Sequence, residues 1–110
     1  MKIERGEKEL KWTNLFSTYS IPITQDTEYI FSSKQKKIYV KNIVDGLLEI
    51  SVYNLKGVLE DKRTYRHYFV NFFEKDGFAC IKYYDYSMQS YCTATFLGGA
   101  GFTGITRVNG

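Results

Sequence analysis

The stretch "IYVKNIVDGLLEISVY", residues 38–53, carries the clearest structural signal in this chain of 110 residues. Apolar side chains alternate with other residues from Leu48 to Val52, which is the period of a half-buried β-strand. Asp45-Gly46 separates this run from the apolar run before it and is a typical hairpin turn. The stretch therefore predicts an antiparallel β-hairpin.

Two registers of this hairpin are possible. A two-residue turn places Lys41 opposite Ile50, a charge beside an apolar side chain. A three-residue loop, residues 44–46, places Val40 opposite Ile50 and Lys41 opposite Glu49. The second register separates apolar from charged side chains and gains a cross-strand ion pair of about 0.2–1 kcal/mol. We therefore predict the three-residue loop.

The composition extends this prediction to the rest of the chain. Ten Tyr, eight Phe and one Trp bring the aromatic content to 17%, and aromatic residues favour strands. Short apolar runs separated by Gly and Asp turns, such as residues 54–57 and 74–77, are typical of antiparallel all-β domains. We predict an all-β fold, a small antiparallel β-sandwich or barrel-like single domain spanning residues 12–110. Residues 1–11 are dense in charges of both signs and are predicted to form a charged N-terminal tail or a short solvated element.

The segment "RTYRHYFVNFF", residues 63–73, allows a second interpretation. It is rich in strand formers, yet its aromatic residues also follow a helical spacing. These aromatic residues are Tyr65, Tyr68, Phe69, Phe72 and Phe73. Most of the segment consists of poor helix formers, so we predict strand. The alternative is an α+β fold with one helix near residues 59–75 packed on an antiparallel sheet.

Near the end of the chain, "GGAGFTG", residues 98–104, contains the glycine spacing of a dinucleotide-binding turn. Such a site needs a following helix and an acidic residue about 20 positions further on. Only six residues, none acidic, follow Gly104. We expect no cofactor here, and predict a bend or bulge that leads into a last strand, "FTGITRV".

Charge and cysteine content limit the class of protein. The net charge is +3, which permits an acidic partner without requiring one. Residues 86–106 are uncharged but contain too many polar residues and glycines for a membrane span. No signal peptide is visible, so a cytoplasmic protein with reduced Cys80 and Cys92 is expected. A four-residue loop at 87–90 would place these cysteines on opposite faces of a hairpin, and an odd loop on the same face, so the sequence does not decide whether they are bonded.

Few residues suggest catalysis. The single histidine, His67, lies among cations in "KRTYRHY" and could serve a small ribonuclease, which needs a base, an acid and cations for the phosphate. Nothing in the sequence fixes a partner for His67, so catalysis by this residue is only an alternative. Cys80 and Cys92 lack the paired spacing of a zinc site, and we predict no metal.

Two basic clusters contain aromatic residues. Cations that contact phosphates, beside aromatic rings that stack on bases, are the elements of a single-strand nucleic-acid site. The clusters are Lys34, Lys36, Lys37, Tyr39 and Lys41, and Lys62, Arg63, Tyr65 and Arg66. They support an alternative function, binding of single-stranded nucleic acid.

The stretch "YYDYSMQSY", residues 83–91, indicates a different kind of surface. Tyrosine is enriched among residues that carry binding energy at protein interfaces. We predict a partner-binding site formed by Tyr83, Tyr84, Tyr86, Met88 and Tyr91. The function expected from the whole sequence is that of a small non-catalytic binding protein, such as an inhibitor, an immunity-type factor or an assembly accessory factor, whose partner is a protein.

Overall fold

Eleven antiparallel strands form three sheets in the computed structural model, which describes residues 1–108. The first sheet contains β1 (Ile3–Arg5), β2 (Glu9–Asn14) and β3 (Ser17–Pro22). The second contains β4 (Glu28–Ser32), β5 (Lys37–Val44), β6 (Leu47–Asn54) and β7 (Leu59–Tyr65). The third contains β8 (Tyr68–Lys75), β9 (Phe78–Asp85), β10 (Ser90–Thr95) and β11 (Thr103–Arg107).

Within each sheet the strands lie side by side in chain order. Residues 1–108 contain no helix, which confirms the predicted all-β antiparallel fold. That part of the chain accordingly offers no helix of the length and apolar character needed to cross a membrane. The predicted turns at residues 54–57 and 74–77 also form, and the two-residue turn at 76–77 joins β8 to β9.

The second sheet lies between the other two, and its central strands β5 and β6 are buried on both faces along most of their length. On one face Tyr39 packs in a cluster with Ile81 of the third sheet. On the other face Ile38 packs in a cluster with Trp12 of the first sheet. Successive residues of a strand point to opposite faces, so every side chain from Ile38 to Lys41 is buried.

This burial explains why the predicted register of the β5–β6 hairpin is wrong. The hairpin turns through two residues, with Val44 paired to Leu47 and Lys41 paired to Ile50. Asp45 and Gly46 both have positive φ, 52° and 76°, as the tightest hairpin turns require. The prediction assumed that one face of the hairpin is in water, whereas here both faces pack against another sheet.

The charged residues of this hairpin find other partners than those expected. Lys41 Nζ lies 2.6 Å from Oε2 of Glu28 on the neighbouring strand β4. Glu49 Oε1 lies 3.6 Å from Lys62 Nζ on β7, so the predicted Lys41–Glu49 pair does not form. Strands on both sides of the hairpin therefore supply the partners of the two charges that the predicted register places opposite each other.

Residues 59–65 and 68–75 form strands β7 and β8. The strand interpretation of residues 63–73 is thus confirmed except at the connection of residues 66–67, and the helical alternative is excluded. The helix-like spacing has a physical cause in the register of β8. Phe69 pairs with Tyr83 and Phe72 with Ile81, and the register shifts between Phe69 and Asn71. An extra residue in a strand, a β-bulge, shifts the alternation by one position. Phe69 and Phe72 therefore both face inward although they are three positions apart.

The charged N-terminal segment is part of the first sheet. Leu10 is fully buried and Trp12 is 2% exposed, and Trp12 Nε1–H donates to the carbonyl of Leu55 at 2.8 Å. The expected division after residue 11 therefore falls inside β2. The charged residues Glu9 and Lys11 project outward because they alternate with the buried Leu10 and Trp12 along β2.

The glycine-rich segment forms the predicted connection from β10 to β11 and crosses the second sheet on its way. Gly98 N–H donates to the Tyr39 hydroxyl at 2.9 Å, and Ala100 N–H donates to Asp61 Oδ2 at 2.7 Å. A Cβ added at Gly99 would lie 3.0 Å from the same Asp61 oxygen. The glycines thus allow close approach between two sheets.

The β9–β10 hairpin separates the two cysteines. Asp85 pairs with Ser90 and Tyr84 with Tyr91, so the connecting loop has four residues, shifted by one position from the expected loop. Cys92 faces the core, Cys80 occupies the opposite face, and both are free. An even loop length placed them on opposite faces, as the sequence argument required.

Candidate protein-binding surface

Four tyrosines lie close together on the outer face of the third sheet. Tyr84 in β9 pairs with Tyr68 of β8 on one side and Tyr91 of β10 on the other, and Tyr86 follows in the turn. The ring centroid of Tyr84 lies 5.0 Å from that of Tyr91 and 5.4 Å from that of Tyr86, both edge-on. We call these residues, together with Lys82 of the same face, the tyrosine surface: Tyr68, Lys82, Tyr84, Tyr86 and Tyr91.

The tyrosine surface is open to solvent and its rings support one another. Tyr68 and Tyr86 are each 60% exposed and Tyr91 is 45% exposed. Lys82 Nζ lies 5.7 Å from the centroid of the Tyr91 ring, within the range of a cation–π contact. Edge-on aromatic pairs are a favoured geometry, so this surface combines exposed aromatic area with restricted ring positions.

The turn that presents Tyr86 is held by Asp85. Its Oδ1 accepts hydrogen bonds from Ser87 N–H at 2.9 Å, Ser87 Oγ–H at 2.7 Å and Met88 N–H at 3.1 Å. The Ser87 hydroxyl, followed by the Met88 N–H, holds the pKa of the Asp85 carboxyl below its usual value. Met88 is 42% exposed at this turn, beside the tyrosine surface.

Four of the five residues predicted for the partner-binding site, Tyr84, Tyr86, Met88 and Tyr91, reach the surface. Tyr83 does not, because it is adjacent to Tyr84 in a strand and therefore points to the opposite face. It packs in the core with 1% exposure, and burial raises the pKa of its hydroxyl to about 12. Tyr83 is thus a core residue and not a contact residue of this surface.

Sequence reasoning missed two members of the tyrosine surface. Lys82 lies two positions before Tyr84, and this spacing in a strand already indicated a shared face. Tyr68 joins the surface only because β8 pairs with β9 and sets Tyr68 opposite Tyr84. Strand pairing of that kind is not visible in the local pattern.

The outer face of the first sheet has a different composition. Its outward positions carry charged and small polar side chains, among them Lys11 paired with Ser20 and Thr13 paired with Thr18. Lys11 Nζ lies 3.3 Å from Oε1 of Glu9 on the same face. Both outer sheets expose one face, but only the third covers that face with tyrosines.

The first predicted nucleic-acid cluster is divided by the fold. Lys34 and Lys36 lie in the exposed connection before β5, while Tyr39 is fully buried and Lys41 is 5% exposed. Lys37 Nζ is 3.1 Å from Oε1 of Glu60. Residues that alternate along a strand buried on both faces cannot form one exposed basic surface. Tyr39 and Lys41 therefore belong to the core and Lys37 is paired, while Lys34 and Lys36 remain exposed.

The second predicted cluster follows β7 and is also divided. Lys62 pairs with Glu49, and Arg63 Nε lies 3.6 Å from Asp61 Oδ2. Tyr65 turns inward, where its ring lies 4.0 Å from that of Phe102. Lys62 and Arg63 are therefore partly neutralised, and Tyr65 does not offer a free face for stacking on a base.

His67 lies in the short connection between β7 and β8, next to Arg66. Its ring packs against Tyr83, with 4.8 Å between centroids. His67 is among the groups that lower the pKa of the Asp85 carboxyl, but Asp85 Oδ1 accepts the three turn hydrogen bonds described above. Within residues 1–108, no three His, Cys, Asp or Glu side chains cluster to hold a metal ion. In that same part of the chain the structure thus gives His67 a fixed position without a hydrogen-bonded acid.

Neither a family model, nor a curated protein, nor a solved structure matches this chain.

Proposed function

We propose that this protein binds another protein through the tyrosine surface and acts without catalysis. The difference between the two outer sheet faces is the observation that carries this proposal. Water alone favours the charged and hydroxyl side chains found on the first sheet. The third sheet departs from that pattern in the same molecule, and clustered exposed aromatic residues are a mark of interaction sites.

Tyrosine suits such a surface for physical reasons. Its ring supplies a large amphipathic contact area while few torsion angles must be fixed on binding. The edge-on contacts of Tyr84 with Tyr86 and Tyr91 already restrict those rings. Binding a partner therefore costs these tyrosine side chains less conformational entropy than it would cost long flexible side chains.

The charges on the outer face of the third sheet indicate the kind of partner. Along β8 to β11 the outward positions with a formal charge are Lys75 and Lys82, and none of these positions holds a carboxylate. Complementary potentials favour association and exclude wrong partners. The partner surface is thus expected to be neutral to acidic, with apolar or aromatic groups that contact the tyrosine rings.

The test is capture of partners from the native host with three forms of the protein. The forms are wild type, the double variant Tyr84→Thr/Tyr91→Thr, and the control Phe16→Thr, which removes a fully exposed aromatic ring outside the surface. Threonine is a good strand former, and circular dichroism verifies that each variant folds.

The proposal expects a protein recovered by wild type and by the control but lost with the double variant. Calorimetry with that purified protein should then show affinity reduced by roughly 30-fold or more, the effect of removing a dominant contact residue. Equal recovery by all three forms contradicts the proposal. If a single-stranded oligonucleotide binds wild type and not the double variant, the partner of the tyrosine surface is a nucleic acid and not a protein.

A further inference from the structure

A groove opens at one end of the second and third sheets, where three chain connections meet. The β5–β6 hairpin, the β7–β8 connection with the start of β8, and the β9–β10 turn each contribute residues to it. Its volume is about 310 Å³, and its lining residues are Ile43, Gly46, Arg66, His67, Tyr68, Phe69 and Tyr86. Small-ligand sites range from roughly 300 to 1,000 Å³ and prefer such convergent loops.

The lining of this groove is apolar on one side and cationic or polar on the other. Ile43 and Phe69 supply apolar surface, while Arg66, His67 and Tyr86 supply polar groups. No carboxylate lines the groove, and Arg66 forms no ion pair within residues 1–108. Such a lining fits a ligand that combines a negative charge with an apolar body.

His67 gives the groove a preorganised polar group. Its ring is held among the rings of Tyr83, Tyr65 and Phe102, at centroid distances of 4.8, 6.1 and 6.1 Å. In the part of the chain that the structure describes, the His67 ring nitrogens make no hydrogen bond. A half-buried imidazole fixed by ring packing can therefore form hydrogen bonds with a ligand.

A second groove of about 260 Å³ on the other side of the β5–β6 hairpin provides a contrast. Its polar side chains satisfy one another, since Thr27 Oγ1–H donates to Asn42 Oδ1 at 2.5 Å and lies 3.2 Å from Thr24 Oγ1. It is lined by neutral residues only. The His67 groove differs from this second groove in having lining residues whose hydrogen-bonding groups are free for a ligand.

We infer that the groove beside His67 binds an oxyanion, a carboxylate or phosphate, carried on an apolar body. Arg66 and His67 contact the oxyanion, because a guanidinium forms strong charge-assisted hydrogen bonds to both groups. Ile43 and Phe69 contact the apolar body. Tyr68 and Tyr86 belong to both the groove and the tyrosine surface, so the two sites adjoin. Tyr84 and Tyr91 do not line the groove, so their substitution tests the protein-binding function separately.

Calorimetric and NMR titrations with benzoate, phenyl phosphate and benzamide test the inference. The three probes share a phenyl ring, and benzamide lacks the charge. Benzoate or phenyl phosphate should bind about tenfold or more tightly than benzamide, since a hydrogen bond to a charged group is the stronger kind, and the tighter of the two identifies the oxyanion. NMR shifts should concentrate at residues 66–69.

Two arginine variants complete the experiment. Arg66→Gln should abolish the preference for the charged probe, whereas Arg107→Gln, which removes an exposed arginine from the opposite edge strand of the third sheet, should retain it. Equal binding of benzamide, or an unchanged preference in Arg66→Gln, overturns the inference. The Tyr84→Thr/Tyr91→Thr variant should bind the probes as wild type does, so failure of one proposal is separable from failure of the other.

Discussion

Glu28 and Lys41 face each other across β4 and β5, and their charged atoms lie 2.6 Å apart although Lys41 is only 5% exposed. Lys41 Nζ also lies 4.0 Å from the centroid of the Phe69 ring. Removing one partner of a buried pair leaves an uncompensated charge, while an apolar replacement of that charge can be neutral. Glu28→Gln should therefore lower the free energy of unfolding by about 1–3 kcal/mol.

The comparison variant is Lys41→Met, which keeps the length of the side chain and removes the buried charge. It should cost less than Glu28→Gln, because the remaining Glu28 side chain is 47% exposed and can be hydrated. Urea unfolding of both variants and wild type measures the difference. A larger loss of unfolding free energy in Lys41→Met would contradict this expectation. It would show that the contacts of the lysine side chain stabilise the fold more than a buried, unpaired lysine destabilises it.

Substitutions at two turn glycines distinguish the cost of backbone strain from the cost of steric contact. Gly46 and Gly77 have φ of 76° and 84°, but a Cβ at Gly46 meets nothing within 4 Å. At Gly77 it would lie 2.6 Å from Lys34 Cγ and 2.7 Å from Ser33 Oγ. Gly46→Ala should cost about 1–2 kcal/mol from the positive φ alone. Gly77→Ala should cost roughly 1–3 kcal/mol more, from displaced neighbours. Equal unfolding midpoints for the two variants would exclude a packing role of Gly77.

The sequence allowed the local features of the fold to be predicted. Turn residues carry their own conformational preference, so the turn at Asp45-Gly46 and the strands between the other turns were visible without any tertiary information. The register of the β5–β6 hairpin was not, because it depends on what covers each face. Alternation shows that the two faces of a strand differ, but it does not show that both faces of the second sheet are covered by other sheets.

Tyr39 illustrates the same limit at the level of a site. Its lysine neighbours suggested an exposed stacking surface, yet its ring is buried and its hydroxyl accepts the Gly98 N–H at 2.9 Å. These two residues are 59 positions apart. The clustering of Tyr84, Tyr86 and Tyr91 could be predicted, because those tyrosines lie in one hairpin and need only local pairing; their role in partner binding stays a prediction. Tyr68 required the pairing of a separate strand.

Acid should destabilise the protein through two carboxylates. The Ala100 N–H, followed by the Lys62 N–H, holds the pKa of Asp61 below its usual value, and the Ser87 hydroxyl acts in the same direction on Asp85. With a lowered pKa in the folded state, the unfolded chain binds more protons between the two pKa values. The stabilisation is thus present above the unfolded pKa and is lost as the pH falls through the folded pKa.

Urea midpoints of the wild type should therefore decrease as the pH is lowered from about 5. The double variant Asp61→Asn/Asp85→Asn should show a shallower decrease, since an amide does not titrate. Asp26→Asn is the control, because Asp26 is exposed and makes no side-chain hydrogen bond within residues 1–108. The same decrease in wild type and double variant would show that other groups cause the acid sensitivity.

The tip of the β2–β3 hairpin is expected to gain stability on substitution. Leu15 has a φ of 60° and is 85% exposed, so its side chain has little packing to offset an unfavourable backbone conformation. The left-handed conformation costs an ordinary residue roughly 1–2 kcal/mol, and glycine avoids this cost. Leu15→Gly should therefore unfold at higher urea concentration than Leu15→Ala, by about 1 kcal/mol in free energy. The alanine variant removes the same apolar side chain but keeps the strain, so a hairpin tip without strain would give equal midpoints for the two.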